Sequence, residues 1–222
     1  MMLDELKSKV DEKLYDVLVK EDIVELRPCQ EKAVSEGLLE NSSLLVCTPT
    51  ASGKTLIAEL AAIDAVLRKE GKAVYIVPLK ALANEKFREF KRKYGHFCDI
   101  ALSIGDLDKA DPYLGKYDLI ITTSEKFDSL IRHHCNWLGE IRVVIVDEVH
   151  LLNDPGRGPT LEILITMLKQ MIKNLQLIAL SATIGNPEEL AEWLGAELVI
   201  DDWRPVELKK GVYLNGEIEF KQ

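Results

Sequence analysis

The chain has 222 residues, 47% of them apolar, enough for one large domain with a substantial core. Acidic residues outnumber basic ones by 37 to 28, and this net charge of −9 argues against a protein held on nucleic acid by its overall charge. Screening over about 8 Å at physiological salt still lets a local patch act. No apolar run approaches the length that crosses a bilayer, and the opening "MMLDELKSKVDEKL" lacks a signal-peptide core, so the expectation is a cytoplasmic protein with no membrane partner.

In chain order, Leu3, Leu6, Val10, Leu14 and Val17 share one helical stripe and predict a single amphipathic helix over the first 20 residues, packed against the sheet domain. Seven apolar stretches then read as strands, at 43–47, 73–77, 99–103, 118–123, 143–147, 175–181 and 197–200. Several lack strict alternation, as strands buried on both faces do. Helix-period segments separate them, at about 55–70, 80–94, 124–134, 159–173 and 187–194. This alternation predicts an α/β fold with a mostly parallel central sheet flanked by helices, plus an N-terminal helical extension. The expected boundaries are 1–25 for the extension, 26–205 for the sheet domain and 206–222 for the start of a connection to a further unit.

Local signals support the layout. "TTSE" offers Thr122 as a helix N-cap with Glu125 three residues on, and "GNPEE" offers Asn186 as cap with Pro187 at the first helical position. The segment 80–94 carries six Lys or Arg against two Glu, either a solvated helix face or a basic patch. Cys29, Cys47, Cys98 and Cys135 form no C-x-x-C pair and read as reduced packing residues, so the sequon at Asn41 carries no glycosylation meaning. "HHCNW" at 133–137 does not read as a metal site, because adjacent helical histidines point about 100° apart.

The chemistry centres on "TPTASGKT", residues 48–55, between a strand and a helix. Gly-Lys followed by Ser or Thr arises by chance in roughly one chain in ten of this length, so its context decides. A loop at the carboxyl end of a parallel strand can turn its amides toward a phosphate, and the helix behind it presents its positive end. Pro49, Thr50, Ala51, Ser52 and Gly53 would form that cradle, Lys54 would reach the outer phosphates, and Thr55 would offer its hydroxyl to Mg²⁺. Thr48 stands where the P-loop pattern has its first glycine. Further on, "VVIVDEVH" ends a strand with an acidic pair. Asp147 is placed to hold Mg²⁺, which would face the Glu148 carboxylate as well, and Glu148 is also placed to orient and deprotonate an attacking water.

The ordered motifs "LRPCQ", "PTASGKT", "PLKALANEK", "ITTSEK", "DEVH" and "LSAT" resemble the first RecA-like domain of superfamily 2 helicases of the DExH-box type. The similarity is closest to the Ski-two-like branch and, through "TLEIL", "LSATIGN", "AEWL" and "DWRPV", to archaeal Hjm-type DNA helicases. That resemblance implies ATP and Mg²⁺ as cofactors, Gln30 reading adenine, and His150, Ser181 and Thr183 coupling nucleotide state to domain movement. It implies nucleic-acid contacts at Lys80, Thr122, Thr123 and Arg157, all suited to phosphates rather than bases. It further implies single-stranded or forked DNA as partner, with RNA as the alternative, and 3′-to-5′ movement. A second RecA-like domain would supply the arginines, worth about 10³ to 10⁵ in rate, so these residues alone are expected to turn over very slowly. A nucleotide-gated binding module without turnover is the competing expectation, against which the intact "DEVH" stands.

Overall fold

The computed structural model describes residues 1–105, 111–206, 211–214 and 216–220. Seven strands form one sheet: β1 (Leu44–Cys47), β2 (Lys72–Val77), β3 (Ile100–Ser103), β4 (Leu119–Thr123), β5 (Ile141–Val146), β6 (Gln176–Ser181) and β7 (Glu197–Ile200). Their order is β3-β4-β2-β5-β6-β1-β7, and every neighbouring pair is parallel. The carboxyl ends of β5, β6 and β1 therefore lie side by side, at the rim where open parallel sheets bind ligands.

Helices α1 (Glu12–Lys20), α2 (Pro28–Ser35), α3 (Lys54–Leu67), α4 (Lys80–Tyr94), α5 (Ser124–Arg132), α6 (Gly158–Met171) and α7 (Pro187–Leu194) cover both faces. On one face Leu14, Ala33, Ile57 and Phe90 pack with Val46, Tyr75 and Ile145. On the other, Phe127, Leu164 and Leu194 pack with Leu45, Val74 and Val144. Successive residues of β1, β2 and β5 thus enter opposite cores, which explains why these strands read as continuous apolar runs.

The extension departs from the predicted single helix. Leu3–Leu6 forms a 3-10 turn, and α1 starts afresh after Asp11, whose carboxylate accepts from the Lys13 amide. A capping carboxylate at that point ends one segment and begins another. The predicted stripe is nevertheless buried from Leu3 to Val17, and a bridge between Met2 and Glu25 ties the chain start to the entry of α2.

Three local features also differ from expectation. The helix after β4 is capped by Thr123, which accepts from the Lys126 amide at 3.4 Å, rather than by Thr122, whose hydroxyl donates to the Ser103 carbonyl at 2.7 Å. Asn186 and Pro187 do begin α7, but the Asn186 side chain bonds Glu189 instead of a backbone amide. An antiparallel hairpin, β8 (Gly211–Leu214) with β9 (Glu217–Phe220), which the strand reading does not include, lies within the stretch expected to begin a connection to a further unit. The Asn-Gly at 215–216 is the sequence signal that could have found it. Residues 207–210, 215 and 221–222 of that stretch lie outside the described residues.

Candidate functional site

The loop 48–55 is braced from behind by the entry to α2. Arg27 donates to the Ala51 carbonyl at 2.8 Å, Cys29 to the Ser52 carbonyl at 3.4 Å, and Gln30 Nε2 to the Gly53 carbonyl at 2.9 Å. Three consecutive carbonyls are drawn to one side. The first amides of α3 have no intrahelical partner, so they remain available on the other. Gly53, at φ +98°, needs the left-handed region, and a Cβ there would sit 2.5 Å from Gln30 Nε2. Thr48, in place of the usual glycine, adopts no positive φ and bonds the Ser52 hydroxyl at 2.7 Å in a buried cross-brace.

Gln30 is itself buried, and its Oε1 accepts from the Arg27 amide at 2.8 Å, so it caps α2 while holding the loop. One proton and one lone pair of its carboxamide remain for a further partner. Pro28 at the first position and Gln30 reaching back to Arg27 mark the helix, a signal the period-based reading passed over. A cleft of about 540 Å³ opens beside Arg27, Gln30, Gly53 and Thr55, walled by residues 21–25 and by Glu59, Glu89 and Lys93. The Arg27 guanidinium lies over the Trp203 ring at 5.6 Å, and Lys32 pairs with Asp201 at 2.7 Å, so the chain leaving β7 is fastened to α2.

Across the rim, Lys54 Nζ donates to the carbonyls of Thr48 at 3.1 Å and Ser181 at 2.7 Å, bridging the ends of β1 and β6. Burial pushes its pKa below the ordinary lysine range, opposed by the nearby Glu148 and Asp147 carboxylates. Asp147 Oδ2 accepts from the Tyr75 hydroxyl at 3.0 Å. Burial, then the Glu148 charge, raise the Asp147 pKa above the usual carboxylate range, while Tyr75 and Lys86 oppose the rise. Glu148 adopts left-handed backbone at φ +56°, a costly conformation for a residue with a Cβ and one that recurs where side chains are aimed at chemistry. His150 Nδ1 lies 3.3 Å from Glu148 Oε2 and 3.4 Å from the Ala182 amide, so one nitrogen faces both the acidic pair and the segment after β6. Whether it carries a proton decides which contact it makes.

The structure thus brings together Lys54, Asp147, Glu148, His150 and Ser181. Ser181 Oγ is buried without a hydrogen-bond partner. Thr183 is exposed beyond the end of β6. Of the nucleic-acid candidates, Lys80 is exposed at the start of α4, and Thr123 and Thr122 are buried, the latter with its hydroxyl committed to Ser103. Arg157 borders a narrow cleft with Pro78, Ser124, Asp147 and Glu148. The basic stretch 80–94 is divided: Lys86 and Lys93 pair with Glu89 and Glu59 below the surface, Arg92 pairs with Glu21 while exposed, and Lys80, Arg88 and Lys91 face solvent. Tyr75 and Lys86 were not singled out from the sequence, because strand-buried tyrosines and helical lysines are ordinary; only the fold places them at the rim.

Thr55 and Asp147 offer hard oxygen donors of the kind that Mg²⁺ takes. Among the described residues, no group of three or more His, Cys, Asp or Glu could hold a metal, so an ion at this rim would be bound through few protein oxygens.

The family model for DEAD/DEAH box helicases matches residues 27–190. The ATP-dependent DNA helicase Hel308 of Methanocaldococcus jannaschii is 58% identical over 216 residues, covering 94% of this chain and 18% of that protein. The protein of the same name from Pyrococcus abyssi is 55% identical, covering 93% of this chain and 28% of its own length. The chain therefore spans less than a third of these relatives. Among solved structures, the DUF1998 helicase MrfA bound to DNA superposes with a TM-score of 0.72 at 28% identity, over 87% of this chain and 30% of that one. Its complex with DNA and AMPPNP gives 0.75 at 29% identity, over 87% and 29%. The matched span holds both the loop 48–55 and the acidic pair, and the chain belongs to the DEAD/DEAH box helicase family.

Proposed function

We propose that this chain is the ATP-binding RecA-like unit of an ATP-dependent DNA helicase, with 26–205 as the motor domain, 1–25 as an extension walling the nucleotide cleft, and 206 onward leading to a second RecA-like domain. The observation that carries the reading is the convergence of Lys54, Asp147 and Glu148 at one rim of the sheet. In this reading the amides of Gly53 to Thr55 hold the triphosphate, Lys54 leaves its carbonyl partners for the outer phosphates, and Gln30 offers its remaining donor and acceptor to adenine. Mg²⁺, bound through Thr55 and Asp147, would neutralise phosphate charge. Glu148 takes the proton of the attacking water, and the imidazole of His150 orients that carboxylate. Because His150 also meets Ala182, a change at Glu148 is passed to the Ser181–Thr183 segment and from there to the partner domain. Lys80, Arg157 and the start of α5 at Thr123 would hold a strand by its phosphates, which makes binding salt-sensitive and indifferent to sequence.

The relatives' name supports DNA as the track. Repair or stalled-fork processing, 3′-to-5′ movement and a cytoplasmic setting complete the proposal. The test is ATPase of the full-length protein with single-stranded DNA, forked DNA and RNA side by side. Stimulation by single-stranded or forked DNA above RNA is expected; equal or greater stimulation by RNA would redirect the assignment of substrate, and no ATPase at all would leave a nucleotide-gated binder.

A further inference from the structure

Lys86 lies on the inner face of α4, mostly buried, and its ammonium donates to Thr55 Oγ1 at 3.2 Å and to Glu89 Oε2 at 3.2 Å. The Thr55 lone pair it engages belongs to the hydroxyl expected to face the divalent ion. Its charge also reaches the second expected ligand, the Asp147 carboxylate. We propose that Lys86 is an internal competitor of the divalent cation: its ammonium, seated on Thr55 Oγ1, must withdraw toward Glu89 before the ion can bind. This proposal rests on Thr55 and Asp147 being the metal position.

Two features make Lys86 suited to such a displacement. A lysine is a point charge on a flexible stem, able to move several ångströms without disturbing its helix. Its second partner is also well supplied. Glu89 accepts from Lys93 at 3.1 Å, and Lys93 pairs in turn with the buried Glu59 at 2.8 Å. Glu21, near the same ammonium, is held by Arg92 at 2.7 Å. Three carboxylates and three cations therefore form one connected group joining α1, α3 and α4, and Lys86 can retract into it without leaving any charge unpaired. An ammonium and a divalent ion on the two lone pairs of one hydroxyl oxygen would stand only a few ångströms apart and repel each other, so the ion at Thr55 favours withdrawal of the Lys86 ammonium. A triphosphate entering with its ion supplies the negative charge that shifts this balance. The consequence is a site that takes up free divalent ion poorly and admits it together with nucleotide.

The test is binding of manganese(II), followed by its paramagnetic resonance signal, to the full-length protein without nucleotide. Lys86→Met keeps the apolar stem and leaves Glu89 paired with Lys93; its melting temperature without metal checks that it folds. It should bind manganese at least about fivefold tighter than the unaltered protein, the scale of ordinary coupling between two ligands, whereas Lys86→Arg should not. Asp147→Asn should weaken binding. If Lys86→Met binds equally or more weakly while Asp147→Asn still weakens binding, the competition is overturned and the metal position stands. If Asp147→Asn has no effect, the metal position fails and the competition with it.

Discussion

The two walls of the loop 48–55 are built on opposite terms. On the α2 side the loop is held by hydrogen bonds: three carbonyls accept from Arg27, Cys29 and Gln30, and behind them Asp201 pairs with Lys32. On the acidic side, Glu148 holds a left-handed backbone, Ser181 Oγ lacks a partner, and the His150 nitrogen faces two groups it cannot satisfy at once. The carboxyls record the same contrast. Burial raises Asp147, whereas Lys32 and the Trp203 amide overcome burial and hold Asp201 below its usual range. One wall fixes the loop; the other keeps polar groups available for work done on a ligand.

The sharpest way to break that contrast is Glu148→Gln. In the full-length protein it should lower ATP turnover by about 10² to 10⁴, the usual range for a lost general base, while nucleotide affinity holds. Near-normal phosphate release would remove Glu148 from the chemistry. On the opposite wall, Gly53→Ala forces a Cβ to 2.5 Å from Gln30 Nε2 at a φ of +98°. It should cost about 1–3 kcal/mol in denaturant unfolding without any nucleotide present. A variant as stable as the original would mean that the α2 brace yields easily.

Asp147→Asn sharpens the same point from the other direction. A carboxyl raised by burial is one whose charge the fold tolerates badly, and asparagine can still accept from Tyr75 at the cost of the bond from the Glu148 amide. Unfolding at neutral pH should show a gain of about 0.5–2 kcal/mol, the size of a typical stabilising substitution, together with lost turnover. A loss of stability would show that the carboxylate supports the fold as well. Smallest is Lys32→Ala, worth about 0.2–1 kcal/mol because Lys32 is half exposed. Its sign with pH is defined: a carboxyl depressed in the folded state contributes stability above its ordinary pKa of 3.8 and loses it as pH falls through the folded value. The difference between Lys32→Ala and the original should therefore shrink in acid, and a constant difference would assign the effect to packing.

Much of this was legible in the sequence. Continuous apolar runs at β1, β2 and β5 announced strands buried on both faces, and their alternation with helix-period segments announced a parallel sheet. Gly53, Lys54, Thr55, Asp147 and Glu148 stand out in the sequence because phosphate and metal chemistry demands those types at strand ends. What stayed hidden depends on distance in the fold rather than on pattern. Tyr75 and Lys86 reach the site from a strand and a helix that no spacing rule connects to it. The cap at Thr123 was misplaced by one residue, since either threonine satisfies a capping pattern and only the Ser103 carbonyl, from a neighbouring strand, decides between them. The break at Asp11 was missed because a helical stripe survives a short interruption when both pieces bury the same side.

Of the three tryptophans, Trp137 is buried against Phe127, Trp193 of α7 sits under the Lys169 ammonium, and only Trp203 rests on a group that also grips the loop 48–55. An indole in that position is a built-in optical gauge. Small shifts of Arg27 alter the field on its ring and hence the colour of its emission, so this chain carries a label-free reporter of what happens at residues 48–55.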